Sequence, residues 1–130
     1  MTTSVLDLPE IDESQASKYL THNQALAILD AYAGLLTHNM SSNADYTLST
    51  AGIPAEWQYG TVRITDTGVV LSAAKNIVAP GNAKAYVFVN ATAQTLTLKT
   101  PSGTGIAVAT GKTAILRCDG TNIVRVTADT

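Results

Sequence analysis

Charged residues are scarce in this chain. They make up 14% of its 130 residues, whereas an ordinary soluble domain carries roughly 25%. The net charge is only −2, and the 8 lysines and arginines are scattered singly. A nucleic-acid surface needs clustered cations, so we expect no nucleic-acid partner. A surface with little charge is instead typical of the centre of permanent protein interfaces.

Cysteine and long apolar runs are also nearly absent. Cys118 is the single cysteine, so a disulfide within the chain is excluded. No apolar run approaches the roughly 20 residues of a membrane span, and the first ten residues lack the basic and apolar regions of a secretion signal. We therefore expect no membrane partner, and a protein that stays in the cytoplasm unless it leaves inside a larger particle.

Groups suited to catalysis or metal binding are few and dispersed. His22 and His38, the two histidines, fall on a predicted helical arm away from any cleft, and the carboxylates lie near turns or chain ends without paired spacing. Residues 103–113 resemble a phosphate-binding loop, but that motif needs a glycine where Ile106 stands and a helix where a strand follows. We expect no enzyme activity, no cofactor and no metal.

The one long helix predicted from the sequence spans residues 21–36, with Thr21 and Gln24 as a capping box at its start. Apolar residues follow heptad spacing and fill the flanking positions too, so more than half of the circumference is apolar. Either this helix lies across its own domain, or copies of it pack around a symmetry axis with help from the globular part. The candidate oligomer-interface residues are His22, Ala25, Leu26, Ile28, Leu29, Tyr32 and Leu36. His22 is then a packed or rim residue, or part of a ring that binds an anion or metal or responds to pH.

The predicted fold is mainly β with an N-terminal helical arm. Residues 1–43 form an extended arm and helices, in which Leu6, Leu8, Pro9 and Ile11 are candidate docking residues. Nine strand candidates follow at intervals of about ten residues, among them residues 69–72. In residues 85–90 the side chains alternate, so Tyr86, Phe88 and Asn90 share one face. We expect residues 44–130 to form an antiparallel β-sandwich or jelly-roll-like body.

Trp57 and Tyr59 lie between the arm and the first long strand. A tryptophan at this place most often closes the end of a sandwich. The alternative is a sugar-stacking platform formed by Trp57, Tyr59 and Tyr86, as in a carbohydrate-binding module.

Residues 8–26, LPEIDESQASKYLTHNQAL, resemble the LPxIxxSQAxKxxTHNxAL segment that opens a family of phage and prophage virion proteins. The segments 86–90 and 118–122 are similar to β modules of phage fibres and head appendages. The resemblance implies a virion protein assembled in the host cytoplasm, with itself and other capsid or tail proteins as partners.

These observations together predict a structural protein of a tailed phage that forms a small homo-oligomer, a trimer. A chain of this length favours a capsid decoration (cement) or head-fibre protein, attached through Leu6, Leu8, Pro9 and Ile11. A tail-fibre or baseplate adaptor is the first alternative, and a carbohydrate-binding module for host adsorption is the second.

Overall fold

A computed structural model describes residues 2–130; Met1, the first residue of the predicted arm, lies outside this range. The described residues are mainly β, with one helix, α1 (Lys18–Tyr32), and one short 3-10 helix (Glu56–Gln58). The strands are β1 (Leu35–Asn39), β2 (Tyr46–Thr47), β3 (Thr61–Thr65), β4 (Lys75–Val78), β5 (Ala85–Ala91), β6 (Leu96–Lys99), β7 (Ile106–Val108), β8 (Thr113–Cys118) and β9 (Ile123–Arg125).

The strands form two sheets that share one core. The five-stranded sheet has the order β1-β3-β5-β8-β9, and the four-stranded sheet has the order β2-β4-β6-β7. From β1 to β6 the chain crosses to the other sheet after every strand, which is the path of a β-solenoid coil. The coil is regular in the five-stranded sheet, where Leu35 pairs with Thr61 and Thr61 pairs with Val87, each 26 positions further along.

The prediction of an antiparallel body is wrong for four of the seven strand pairings. The pairs β1–β3, β3–β5, β2–β4 and β4–β6 are parallel, and only β5–β8, β6–β7 and β8–β9 are antiparallel. A chain that returns to the same sheet only after visiting the other one runs in the same direction on each return. The described strands therefore make mixed sheets, whereas the Greek keys of a jelly roll need antiparallel neighbours.

The predicted alternation in β5 is confirmed. Tyr86, Phe88 and Asn90 are buried, while Val87 and Val89 on the other face are half-buried. Phe88 lies in register between Val62 of β3 and Ala114 of β8, both also fully buried. This row meets the apolar inner face of the four-stranded sheet in one hydrophobic core.

Both ends of the predicted helix are wrong. The helix begins at Lys18 rather than Thr21, and the Thr21 hydroxyl accepts a hydrogen bond from the side-chain amide of Gln15 instead of capping the helix. It ends at Tyr32, because the carbonyl of Gly34 already accepts the N–H of Thr61 at 3.2 Å and starts the pairing of β1 with β3. Leu36 therefore lies in a strand, and the five-stranded sheet begins before residue 44.

The helix and the sheet meet at Gly60. A Cβ atom at this position would collide with the carbonyl of Tyr32, so only glycine allows the end of α1 to pass so close to β3. The predicted strand at residues 69–72 is a loop, held by the Leu71 N–H that donates to Asp66 at 3.0 Å.

Candidate interface on the helix and the five-stranded sheet

The helix α1 packs on its own chain with a narrow face. Ile28, at 3% exposed, points into the body together with Thr21 and Ala31. Much of its remaining apolar surface is uncovered in a single copy. We call the exposed large side chains the helix surface: Tyr19, Leu20, Leu26, Leu29 and Tyr32.

The predicted oligomer-interface residues thus separate into two groups. His22, Leu26, Leu29 and Tyr32 are exposed, and Ala25 is half-buried. Ile28 is buried against the body of its own chain, which leaves it no surface for another copy, and Leu36 is half-buried against the core.

The N-terminal arm folds back on the body. Leu6 is buried, and its carbonyl accepts the side-chain N–H of Gln58 at 2.6 Å. The side chain of Asn82 donates to the carbonyl of Val5 at 3.2 Å. Of the four predicted docking residues, Leu6 is therefore used within the chain, Leu8 and Pro9 are half-buried, and only Ile11 is exposed.

Two apolar hollows flank Tyr32. The first, about 360 Å³, lies between the arm and α1 and is lined mainly by Val5, Leu6, Leu8 and Leu29. The second, about 230 Å³, lies between Tyr32 and the five-stranded sheet. Because Tyr32 lines both hollows, the helix surface adjoins the five-stranded sheet at Tyr32.

The outer face of the five-stranded sheet carries a row of apolar and small side chains in register. Ile115 pairs with Val87, and its carbonyl accepts the N–H of Val126 at 2.9 Å. Leu35, Ile115 and Val126 are exposed large apolar residues. We call this row the apolar strip: Leu35, Thr61, Val87, Ile115 and Val126.

The apolar strip was not predicted from the sequence. Its residues come from five segments, and only the strand register brings them together. The signal was the 26-residue spacing of Leu35, Thr61 and Val87, which becomes meaningful once the strands are known to be parallel.

The aromatic residues proposed for sugar stacking lie largely inside. Trp57 is 3% exposed and Tyr86 is 1% exposed, and both belong to the hydrophobic core. Tyr59 is half-buried. A sugar stacks on an open ring face, so this burial favours the interpretation of Trp57 as a closing residue of the core.

His38 lies on β1 rather than on a helix, and it joins a polar cluster. Its Nδ1 is 3.3 Å from a carboxylate oxygen of Glu56, and its ring stacks on Tyr46 with 3.8 Å between ring centroids. The Tyr46 hydroxyl and the Ser49 N–H both donate to the other oxygen of Glu56. Burial, with the hydrogen bond and charge of Glu56, raises the pKa of Tyr46 to about 12, so its hydroxyl stays protonated. The cluster therefore ties β1, β2 and the 3-10 helix together.

Lys84 is buried beneath the helix end. Its amine lies 3.6 Å from the centre of the Tyr86 ring and 5.3 Å from that of Tyr32. It donates to the carbonyls of Tyr59 at 2.7 Å and Ala85 at 3.0 Å. Burial lowers the pKa of Lys84 to about 7.

Because Lys84 is buried, we expect the free energy of unfolding to rise between pH 7 and pH 10. The amine has a pKa of about 7 in the fold and 10.5 in its ordinary state, so the unfolded chain binds more protons in this window. Below pH 7 both states are protonated, and the penalty is constant. Urea denaturation of the wild type and of Lys84→Met at several pH values measures this effect. The free energy of unfolding of the wild type minus that of Lys84→Met should rise from pH 7 to pH 10. A constant difference would contradict the prediction.

Within residues 2–130, no group of three or more His, Cys, Asp or Glu side chains is arranged to hold a metal ion. No helix in this described range is both long and apolar enough to span a bilayer. No protein-family model, curated protein or solved structure matches the chain.

Proposed function

We propose that this chain is a structural protein of a tailed-bacteriophage virion that assembles as a small homo-oligomer, a trimer. Its role is that of a capsid decoration or head-fibre protein. The observation that carries the proposal is the set of exposed apolar side chains on the helix surface and on the apolar strip, which adjoin at Tyr32. Clusters of exposed apolar side chains mark protein–protein contacts, and only 14% of the residues in this chain are charged. The resemblance of residues 8–26 to the opening segment of phage virion proteins supports the virion as the place of assembly.

The physical role follows from burial. Each Å² of apolar surface removed from water contributes about 25 cal/mol. A decoration protein that bridges neighbouring capsomers adds such area where the shell is weakest. This added burial opposes the outward pressure of the packaged DNA.

A tail-fibre or baseplate adaptor remains the alternative, and one feature of the fold favours it. β1 is the edge of the five-stranded sheet, and it pairs with β3 through Gly34 and Met40. Since bonding residues alternate along a parallel strand, the peptide groups of Leu35, Thr37 and Asn39 face away from β3. A free edge without proline or a charged residue can pair with a strand of a neighbouring fibre protein.

The oligomer is tested by light scattering coupled to size-exclusion chromatography. The wild type should show three times the chain mass of 13.5 kDa. Leu29→Glu places a charge at the centre of the helix surface, and burying it without a partner is costly. We expect this variant to raise the dissociation constant of the oligomer at least tenfold while its circular dichroism spectrum stays that of the wild type.

Asn23→Glu is the matched control, because Asn23 is an exposed polar residue of the same helix. It adds the same charge and should leave the mass unchanged. If the wild type stays a single chain at roughly 100 micromolar, its free energy of association is weaker than about 5 kcal/mol. That result would overturn the proposed oligomer.

Immunogold labelling of intact particles separates the two proposed locations. Gold on the head supports the decoration protein, and gold on the tail supports the adaptor.

A further inference from the structure

The segment 10–14 projects from the arm as an acidic loop around one apolar side chain. All five of its residues are exposed, and Ile11 is 47% exposed. Glu10, Asp12 and Glu13 surround it in the chain. None of these carboxylates forms an ion pair within residues 2–130. We call residues 10–14 the acidic hook.

The outer face of the five-stranded sheet has the opposite charge. Arg63 of β3 and Arg117 of β8 are both exposed, and each stands two residues from a member of the apolar strip. Arg63 pairs with Val89 and Arg117 pairs with Ala85, so the two arginines lie on opposite sides of the strip. Residues two apart in a strand are roughly 7 Å apart, which keeps both guanidinium groups close to the strip. Neither arginine forms an ion pair within the described chain.

We infer that the acidic hook of one copy docks on the apolar strip of a second copy, with Ile11 on the strip and the carboxylates beside Arg63 and Arg117. This inference rests on the proposed oligomer and names its contact. The two surfaces are complementary in apolar character and in charge. Each has an apolar centre, and the charges around the two centres are opposite. Guanidinium–carboxylate pairs are the strongest charged hydrogen bonds available to such a contact.

A second copy is the occupant that the charges favour. The hook and the strip belong to the same chain, yet within residues 2–130 no carboxylate of the hook forms an ion pair with Arg63 or Arg117. The nearest opposite charges are Lys18, whose amine donates to the Glu13 carbonyl at 3.1 Å, and Asp119, whose pKa Arg117 helps to lower. A contact between two different surfaces of identical chains repeats from copy to copy, and it closes into a ring such as the proposed trimer when the rotation between copies is a whole fraction of a turn. The hook follows closely in the chain on residues 3–8 of the arm, which line the hollow beside Leu29 and Tyr32. One contact between copies would thus cover the helix surface and the strip together.

Charge reversal tests the contact. Arg63→Glu with Arg117→Glu puts acid opposite acid, and Glu10→Arg with Glu13→Arg puts base opposite base. Each double variant should raise the dissociation constant of the oligomer at least tenfold. The quadruple variant restores the opposite charges and the net charge of −2, so it should return to within threefold of the wild type. Sedimentation velocity at several protein concentrations provides the constants.

Lys99→Glu with Lys112→Glu is the control, since it changes the net charge as the arginine pair does at two positions outside the strip. It should leave the constant unchanged. A wild-type oligomer that both reversed double variants also form at full strength would overturn this inference and leave the proposed oligomer standing. So would a quadruple variant that stays dissociated. The wild type could instead be a single chain in solution, with its apolar strip protected from hydrogen exchange only on the particle. Another virion protein would then occupy the strip, and both this inference and the proposed oligomer would be overturned.

Discussion

Phe88→Ala should lower the free energy of unfolding by about 3 to 5 kcal/mol. The Phe88 ring is fully buried, and it lies between the inner faces of the two sheets in the same row as Val62 and Ala114. Removing it deletes buried apolar area and leaves a cavity, and the neighbouring strands cannot close the gap without giving up their register. Chemical denaturation followed by the fluorescence of Trp57, the single tryptophan, measures the change.

Val89→Ala is the matched control, because Val89 lies one residue further on the same strand but faces outward and is half-buried. Its loss should be about 1 kcal/mol or less. The protein concentration must be the same for all variants, since association stabilises the folded state by mass action. Equal losses for the two variants would mean that the two sheets do not enclose a common core.

The sequence predicted most of the strands, but it missed β1, placed a strand at residues 69–72 where the chain forms a loop, and did not show how the strands pair. Alternation is a local property, so the grouping of Tyr86, Phe88 and Asn90 on one face was predicted correctly, whereas their burial is seen only in the fold. Pairing direction depends on where the chain goes between strands. Two of the three antiparallel pairs, β6–β7 and β8–β9, join consecutive strands across loops that contain the turn-forming sequences Pro-Ser-Gly at residues 101–103 and Asp-Gly-Thr-Asn at residues 119–122.

The turn at residues 119–122 is held by the carboxylate of Asp119. It accepts the N–H groups of Asn122 at 2.8 Å and Thr121 at 3.0 Å. These bonds lower the pKa of Asp119. The connection from β5 to β6 is equally short and also has local side-chain bonds, among Asn90, Thr92 and Gln94, yet it carries the chain to the other sheet. Neither the length of a connection nor a local bond in it therefore fixes how the strands pair.

The helix end shows how tertiary structure overrides a local pattern. Leu35 and Leu36 continue the apolar spacing of α1, and leucine is a good helix former. The parallel pairing of β1 with β3 supplies hydrogen bonds that an isolated helix end lacks, and the side chain of Leu36 gains a place against the core. For the same reason, only part of the candidate interface could be predicted. The exposed residues Leu26, Leu29 and Tyr32 follow from helix periodicity, whereas the apolar strip depends on strand register.

Asn90→Ala should cost about 3 kcal/mol or more, because it leaves several buried polar groups without partners at about 1 to 3 kcal/mol each. Asn90 follows the inward pattern of β5, yet it is polar and fully buried. Its side-chain N–H groups donate to the carbonyls of Gln94 at 2.8 Å and Val108 at 2.9 Å, and its oxygen accepts from the backbone and hydroxyl of Thr92. Val108 belongs to the four-stranded sheet, so this one side chain joins the two sheets.

Asn90→Asp separates the hydrogen bonds of Asn90 from its volume. The carboxylate has the shape of the amide but cannot donate to Gln94 or Val108, and burial beside two carbonyls raises the pKa of a carboxyl group. A raised folded pKa means that stability is lost as the pH rises above the ordinary value of roughly 4 for aspartate. We therefore expect Asn90→Asp to be less stable at pH 7 than at pH 4, relative to the wild type under the same conditions. Asn76→Ala removes a solvent-exposed hydrogen bond with Asp45, and it should change stability by less than about 1 kcal/mol. If Asn90→Ala were no more costly than Asn76→Ala, the bonds between Asn90 and the facing sheet would contribute nothing to the stability of the fold.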